Sequence, residues 1–198
     1  MTTHASAPTL NPWQQDAKVI GLVGLAHASS HFAHLLLPLM FPVFMKTFDL
    51  SYSELGFLMT VFFVVSGAGQ ACAGFVVDKL GARPVLFVAL SLLAIGSLAV
   101  SLAECYHMLI VGAALLGLGN CTFHPVDFTI LNQKVSAPRL SYAFSAHGLT
   151  GNLGWALAPV FMVGISAAYD WRTAYVCASV LYVGILVLLF WQRESLHA

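Results

Sequence analysis

The sequence predicts an all-α membrane protein with six transmembrane helices. Of its 198 residues, 59% are hydrophobic and 8% are charged, whereas a soluble globular domain has about 45–50% apolar and about 25% charged residues. The apolar residues form six runs that are long enough to cross a bilayer, which takes roughly 20 residues of helix. The short segments between the runs carry nearly all the charges. A multi-pass protein of the lipid bilayer is therefore expected.

The six helices are predicted, in order, at residues 18–45, 53–77, 84–103, 106–133, 140–168 and 171–191. They make up a membrane domain over residues 18–192, with cytoplasmic tails at 1–17 and 193–198. The third helix is placed to start at Pro84, because a proline at the first helical position loses no hydrogen bond. Ser136-Ala137-Pro138 and Tyr169-Asp170 are typical of turns, and they bound the fifth helix.

Lysine and arginine residues are distributed unequally between the two ends of the helices. The side of the N-terminus would hold Lys18, Lys79, Arg83, Lys134, Arg139 and Arg193, and the opposite side Lys46 and Arg172. Because basic residues are enriched in cytoplasmic segments, both termini are predicted to lie in the cytoplasm, with the chain in the cytoplasmic (inner) membrane. The formal net charge is zero, so nothing indicates nucleic acid as a partner.

The first and fourth helices are more polar than the others and contain prolines. The first holds His27, Ser29, Ser30, His31, His34, Pro38 and Pro42, and the fourth holds Gly117, Gly119, Asn120, His124, Pro125 and Asp127. These two helices occupy the same place in successive triplets, which predicts two three-helix inverted repeats. Interrupted helices at corresponding positions of two repeats indicate the binding site of a transporter.

The segment between the second and third helices carries the most specific motif, formed by Gly74, Asp78, Lys79, Gly81, Arg83 and Leu86. The spacing resembles the loop signature of the major facilitator superfamily, written G-x-L-a-D-r-x-G-r-k-x-x-l, with Ala82 in place of one base. The resemblance implies a cytoplasmic loop that holds the outward-open state by contacting the other half of the transporter. The residues of this expected conformational latch are Gly74, Asp78, Lys79, Gly81 and Arg83.

Two more segments resemble the same superfamily. Gly151-x2-Gly154-x3-Ala158-Pro159 is similar to the fifth-helix motif of antiporters, although alanine replaces one glycine. The run Gly119-Asn120-Cys121-Thr122-Phe123-His124-Pro125 resembles the fosmidomycin-resistance-type branch, and Ala113 stands where many proton-coupled members carry arginine. In the fifth-helix motif, small residues recur every three or four positions, a spacing that lets helices approach closely. The resemblance implies that Gly151, Gly154, Ala158 and Pro159 contact the partner half.

The resemblance covers one six-helix half of the major facilitator fold. Members have twelve helices in two halves that are related by an axis along the membrane normal. A second copy of this chain in parallel orientation would replace that pseudo-symmetry by a true two-fold axis. The expected partner is therefore such a second copy or a separate C-terminal-half chain.

Seven polar residues within the helices are candidate substrate or proton ligands: His27, His31, His34, Asn120, His124, Asp127 and His147. Helical spacing puts the three histidines of the first helix on one face, and the three polar residues of the fourth helix on another. Polar groups inside a membrane are costly and usually functional, and a buried acid such as Asp127 must pair, neutralise or titrate. The resemblance implies that the first and fourth helices line a central cavity, where these groups would converge.

The expected function is that of a half-size secondary active transporter that works by alternating access after pairing. Its cargo would be a small organic anion or drug-like solute, coupled to protons, with protonated imidazoles supplying the positive charge. The alternative cargo is a transition-metal ion (Cu, Zn, Ni or Fe), bound by His27, His31, Cys121 and His124. A non-transporting membrane scaffold is a third possibility, which the intact latch motif argues against. No nucleotide loop or catalytic domain is present, so neither an enzyme nor a cofactor is predicted.

Overall fold

The computed structural model describes residues 11–197, which form helices and short turns without a β-strand. Eight α-helices follow one another: α1 (Pro12–Leu36), α2 (Phe41–Phe48), α3 (Tyr52–Leu80), α4 (Ala82–Ser101), α5 (Tyr106–Asn120), α6 (Phe123–Lys134), α7 (Leu140–Ala168) and α8 (Trp171–Trp191). Helices α1 and α2 together form one span, as do α5 and α6, so that six segments are long and apolar enough to cross a membrane. The prediction of six transmembrane helices is confirmed.

The first helix begins at Pro12, earlier than the predicted residue 18. Asn11 caps it: the Gln14 backbone N–H donates to Asn11 Oδ1 at 2.8 Å, and the Asn11 N–H donates to the Gln14 side chain at 3.1 Å. This reciprocal pair satisfies two backbone donors at the helix end. The predicted tail is therefore partly helical, and its residues 1–10 lie outside the described part of the chain.

Both predicted tails contribute to the folded domain. Asp16 is buried, and it accepts hydrogen bonds from the backbone and side chain of Ser136 while pairing with Arg139 Nε at 3.1 Å. At the other end, a short 3-10 helix at Arg193–Leu196 buries Leu196 completely. Buried contacts thus extend past the predicted boundaries at residues 17 and 193; Ala198 lies outside the described residues.

Prolines interrupt the first and fourth spans, as the sequence predicts. Pro38 and Pro42 flank the break between α1 and α2, where Met40 N–H turns to the Leu37 carbonyl at 3.0 Å. The Leu36 carbonyl accepts a hydrogen bond from the buried Tyr175 hydroxyl at 2.7 Å instead. A proline removes a helical donor and displaces the preceding turn, and in lipid the freed group needs a partner from another helix.

Between α5 and α6 the break falls at Cys121 and Thr122. Pro125 has no N–H to donate to the Cys121 carbonyl four residues earlier, so the helical ladder is interrupted there. Helix α6 then restarts at Phe123. The restart sets the direction in which His124 and Asp127 project.

Several contacts between the spans are ones that two three-helix repeats would exchange. The first span packs mainly on the fifth (α1 on α7), and the fourth, besides a larger contact with α4, packs on the second (α5 and α6 on α3). If the first three spans are exchanged with the last three, the pair of spans one and five becomes the pair of spans four and two. The contact between α4 and α8, which are spans three and six, is unchanged by this exchange. The predicted internal repeat is confirmed.

The small-residue stripe of α7, which the sequence predicts as a subunit contact, packs against α1 of the same chain. Gly151, Gly154 and Ala158 are buried, and Pro159 is half-buried. A Cβ at Gly154 would collide with the Ala28 carbonyl. The close crossing with α1 therefore occupies the buried face of the stripe.

The predicted latch residues lie at the surface around the junction of α3 and α4: Gly74, Asp78 and Lys79 in the last turns of α3, Gly81 between the helices, and Arg83 in the first turn of α4. Gly81 adopts φ 86°, a left-handed value that favours glycine. Arg83 donates to the Arg193 carbonyl at 3.3 Å and lies 3.9 Å from Glu194, whereas Asp78 and Lys79 are exposed, as is Gly74. The loop is therefore held next to the C-terminal 3-10 helix, and its exposed charges are accessible to another molecule or domain.

Candidate solute and proton site

Asp127 on α6 is fully buried and contacts two histidines through one carboxylate oxygen. Its Oδ2 lies 3.1 Å from His27 Nδ1 on α1 and 3.1 Å from His147 Nε2 on α7. Because an ionised carboxylate can only accept hydrogen bonds, each ring donates to it. Two neutral rings in this arrangement carry their protons on His27 Nδ1 and on His147 Nε2.

The His27 and His147 rings stack on one another, with centroids 3.4 Å apart and an interplanar angle of 23°. The second carboxylate oxygen of Asp127, Oδ1, is buried without a hydrogen-bond partner. With both imidazoles neutral, the three side chains carry one negative charge, which one added proton cancels.

His31 and His124, which are half-buried, lie next to this centre. The His27 ring centroid lies 4.4 Å from that of His31 and 5.2 Å from that of His124. His31 Nδ1 has no hydrogen-bond partner, and His124 makes no hydrogen bond within the described residues. Four imidazoles from three helices thus form one cluster, and two of them contact the Asp127 carboxylate.

Gly151 provides the space for the histidines of α1. A Cβ at this position would lie 3.0 Å from His27 Nε2 and 2.9 Å from His31 Cε1. These distances are shorter than ordinary van der Waals contacts, so a side chain here would displace one or both rings. The glycine of the α7 stripe therefore serves the site as well as the helix crossing.

A second polar network is centred on Asn120 at the end of α5. Its side-chain oxygen accepts from Ser66 Oγ at 2.7 Å and from His34 Nε2 at 3.2 Å, while its amide group donates to Ser30. Trp155 Nε1 donates to His34 Nδ1 at 3.2 Å. Since Nδ1 accepts the hydrogen bond of the indole N–H, the neutral His34 ring must carry its own proton on Nε2.

The two polar centres meet at His31, whose ring lies between them. Its centroid is 5.1 Å from that of His34 and 4.4 Å from that of Trp155. Trp155 is 41% exposed, so this end of the network is open to the outside of the bundle. All seven candidate residues therefore belong to one connected region between α1, α5, α6 and α7.

Comparison with known proteins identifies the family of this chain. The family model described as Major Facilitator Superfamily matches residues 23–198 of the chain. The chain belongs to the Major Facilitator Superfamily. The resemblance carried by the Gly74–Leu86 loop is confirmed, and the family is one of transporters.

Relatives within the Major Facilitator Superfamily include the fosmidomycin resistance protein of Escherichia coli K12, which is 25% identical over 181 residues. That match covers 90% of this chain and 44% of the relative. The multidrug resistance protein MdtL of Escherichia coli O81 is 30% identical over 151 residues, which are 74% of this chain and 38% of that protein.

A solved structure of the peptide transporter POT in complex with sulfate superposes with a TM-score of 0.80 at 18% identity. The superposition covers 94% of this chain and 42% of that one, and at this identity it shows the fold alone. The chain thus spans less than half the length of the superfamily members it matches.

The surroundings of Cys121 in this superfamily member differ from what the sequence suggests. Cys121, a predicted metal ligand, donates its thiol to the Leu118 carbonyl at 3.0 Å and packs against Gly69 on α3. Among the described residues, the histidines whose ligand atoms come within 4.8 Å of one another are His27, His124 and His147. Of the predicted set of His27, His31, Cys121 and His124, the structure thus brings His27 and His124 together, whereas the break at Cys121 turns its side chain away from the histidines.

Trp155, Ser66 and the role of Ser30 are missing from the sequence-based site. Trp155 lies four residues after Gly151, a spacing that puts both on the same face of a helix. That spacing is a signal that could have identified Trp155. No comparable pattern marks Ser66, whose role depends on how α3 packs against Asn120.

Proposed function

We propose that this chain is one half of a secondary active transporter that moves a small organic anion, coupled to protons, by alternating access. The observation that carries the proposal is the buried Asp127 carboxylate, held between the His27 and His147 rings at 3.1 Å each. Three helices supply the three groups. A shift of one helix relative to the others would change their contacts and with them the proton affinity of the centre.

An anionic cargo suits the excess of imidazoles over carboxylates in this region. Four histidines form one cluster with Asp127, and each that gains a proton adds one positive charge. Ala113, which stands where many proton-coupled members carry arginine, is buried and supplies no positive charge. The histidines are therefore the groups that could supply it. His31, His124 and the exposed Trp155 lie on the open side, where an anion could reach them. A relative's name, fosmidomycin resistance protein, supports a solute of this class.

Proteoliposomes that enclose a pH-sensitive dye provide the test. Addition of fosmidomycin, the compound named in that relative, is expected to change the internal pH when the protein is present. Glucose, which is uncharged, serves as the control solute. Absence of any solute-dependent pH change across a panel of organic anions would contradict coupling. Anion binding without movement of solute or protons would favour the alternative of a non-transporting scaffold.

The proposal includes a second six-helix half as partner, either another copy of this chain in parallel orientation or a separate C-terminal-half chain. The second and fifth spans support this: only 22% of the apolar window of each is buried, the smallest fraction of the six. Their exposed faces carry Gln70 and Asn152, amides that are costly against lipid. Both termini are proposed to be cytoplasmic, and the exposed Asp78 and Lys79 would contact the partner half.

Cysteine cross-linking tests the pairing. Asn152→Cys, on the exposed face of α7, is expected to form a covalent dimer in membranes under mild oxidation. Val187→Cys, on the exposed face of α8, is the matched control and should remain monomeric. The four native cysteines are replaced by serine or alanine in both variants. Equal cross-linking at the two positions, or none at either, would contradict a specific interface between copies.

A further inference from the structure

We propose that His27, His124 and His147 form a binding site for a divalent transition-metal ion such as Zn²⁺. One ligand atom from each of these residues lies within 4.8 Å of the others. The three residues come from α1, α6 and α7, so the site exists only in the folded bundle. The inference goes beyond the proposed anion transport, and metal binding can be measured without any transport.

Asp127 orients two of the three rings for this role. It accepts the Nδ1–H of His27 and the Nε2–H of His147, which leaves the lone pairs on His27 Nε2 and His147 Nδ1 free. Metal-binding histidines commonly donate their other ring N–H to a carboxylate, which fixes the tautomer and makes the ligand more basic. Asp127 thus supplies the outer support that a histidine metal site requires.

The third ligand and the free space also fit a metal ion. His124 makes no hydrogen bond within the described residues, so both of its nitrogens are available. Gly151 leaves room beside His27 Nε2, the atom that would bind the ion, since a Cβ there would lie 3.0 Å away. A side chain larger than hydrogen would compete with the ion for this space.

The donor set selects the class of ion. Imidazole nitrogen suits Zn, Cu, Ni and Fe, whereas Mg²⁺ and Ca²⁺ prefer oxygen ligands. Three histidines leave a fourth position of a tetrahedral ion open, as in sites where the metal binds a further ligand. With the Asp127 carboxylate, a divalent ion would give the centre a net charge of plus one. If the proposed anion transport also holds, that charge could attract the solute.

Zinc binding to the purified full chain in detergent tests the inference. The protein carries no polyhistidine tag, and it is stripped with a chelator before titration against a chromogenic zinc indicator. We expect one Zn²⁺ per chain, a rise in the thermal unfolding temperature with Zn²⁺, and no rise with Mg²⁺. His124→Ala should weaken Zn²⁺ binding at least tenfold, because it removes a ligand without breaking a hydrogen bond. His107→Ala, at an exposed position on α5, should leave binding unchanged.

Two further variants separate the site from general folding effects. Asp127→Asn should weaken Zn²⁺ binding by about 10–100-fold, the usual effect of losing an outer-shell partner. Gly151→Ala should also weaken it, whereas Gly148→Ala, where a Cβ meets nothing within 4 Å, should not. The inference is overturned if the parent protein shows no saturable Zn²⁺ binding or if His124→Ala binds as the parent does. If the parent protein transports anions but does not bind zinc, this inference alone is overturned. If it binds zinc but does not transport anions, only the proposed function is overturned.

Discussion

Replacement of Asp127 by asparagine is expected to abolish proton-driven accumulation of solute while solute exchange without a gradient continues. Asparagine has nearly the same shape, but it carries no charge and cannot take up a proton. A gradient of one pH unit supports about tenfold accumulation at one proton per solute, and this factor should fall to one. The measurement compares uptake driven by a pH gradient with counterflow at equal pH in proteoliposomes.

Asp170→Asn is the matched control for this prediction. Asp170 is an exposed cap at the start of α8 and accepts from the Thr173 backbone N–H at 2.8 Å. That N–H holds the pKa of the Asp170 carboxyl below its usual range, so the group stays ionised at neutral pH. Asparagine caps helices equally well, and transport should therefore be unchanged. Persistence of gradient-driven accumulation in Asp127→Asn would exclude Asp127 as the coupling group.

Gly154→Ala is expected to cause the largest loss of stability from a single added methyl group. The new Cβ would collide with the Ala28 carbonyl and lie 3.1 Å from His31 Cβ. A backbone carbonyl cannot rotate away, so α7 must move from α1 along the tightest crossing in the bundle. Overpacking of this kind costs about 1–3 kcal/mol and occasionally more. Thermal unfolding in detergent, followed by circular dichroism, measures the effect.

Gly164→Ala lies on the same helix and supplies the comparison. A Cβ at Gly164 meets nothing within 4 Å, and the residue is exposed. Alanine favours a helix over glycine by up to about 1 kcal/mol, so this variant should be neutral or slightly more stable. An equal shift of the unfolding temperature in both variants would mean that the crossing at Ala28 does not limit how close the two helices can lie.

Local patterns in the sequence were sufficient for the helices, their interruptions and the family. The six apolar runs predicted the spans, and Pro38, Pro42 and Pro125 marked the breaks, because a missing N–H acts within its own helix. The Gly74–Leu86 loop is a contiguous motif, and for that reason it identified the superfamily. Helical spacing also grouped His27 with His31, and His124 with Asp127, since residues three or four apart share a face.

What the sequence could not determine was which helix faces meet. Asp127 binds His27, 100 positions earlier in the chain, and Trp155 binds His34 across 121 positions. Cys121 was expected beside His124 but turned away at the helix break, and the glycines of α7 were expected at a partner but pack on α1.

The physical reason is that a lipid-embedded chain is apolar on nearly every face, so hydrophobic pattern gives no direction to helix pairing. Pairing depends instead on close contact at small residues and on buried hydrogen bonds, such as those at Gly154 and Asp127. The sequence by itself determined the number of spans, the positions of their breaks and the superfamily. Only the tertiary structure decided that one carboxylate joins two histidines at the centre of the bundle.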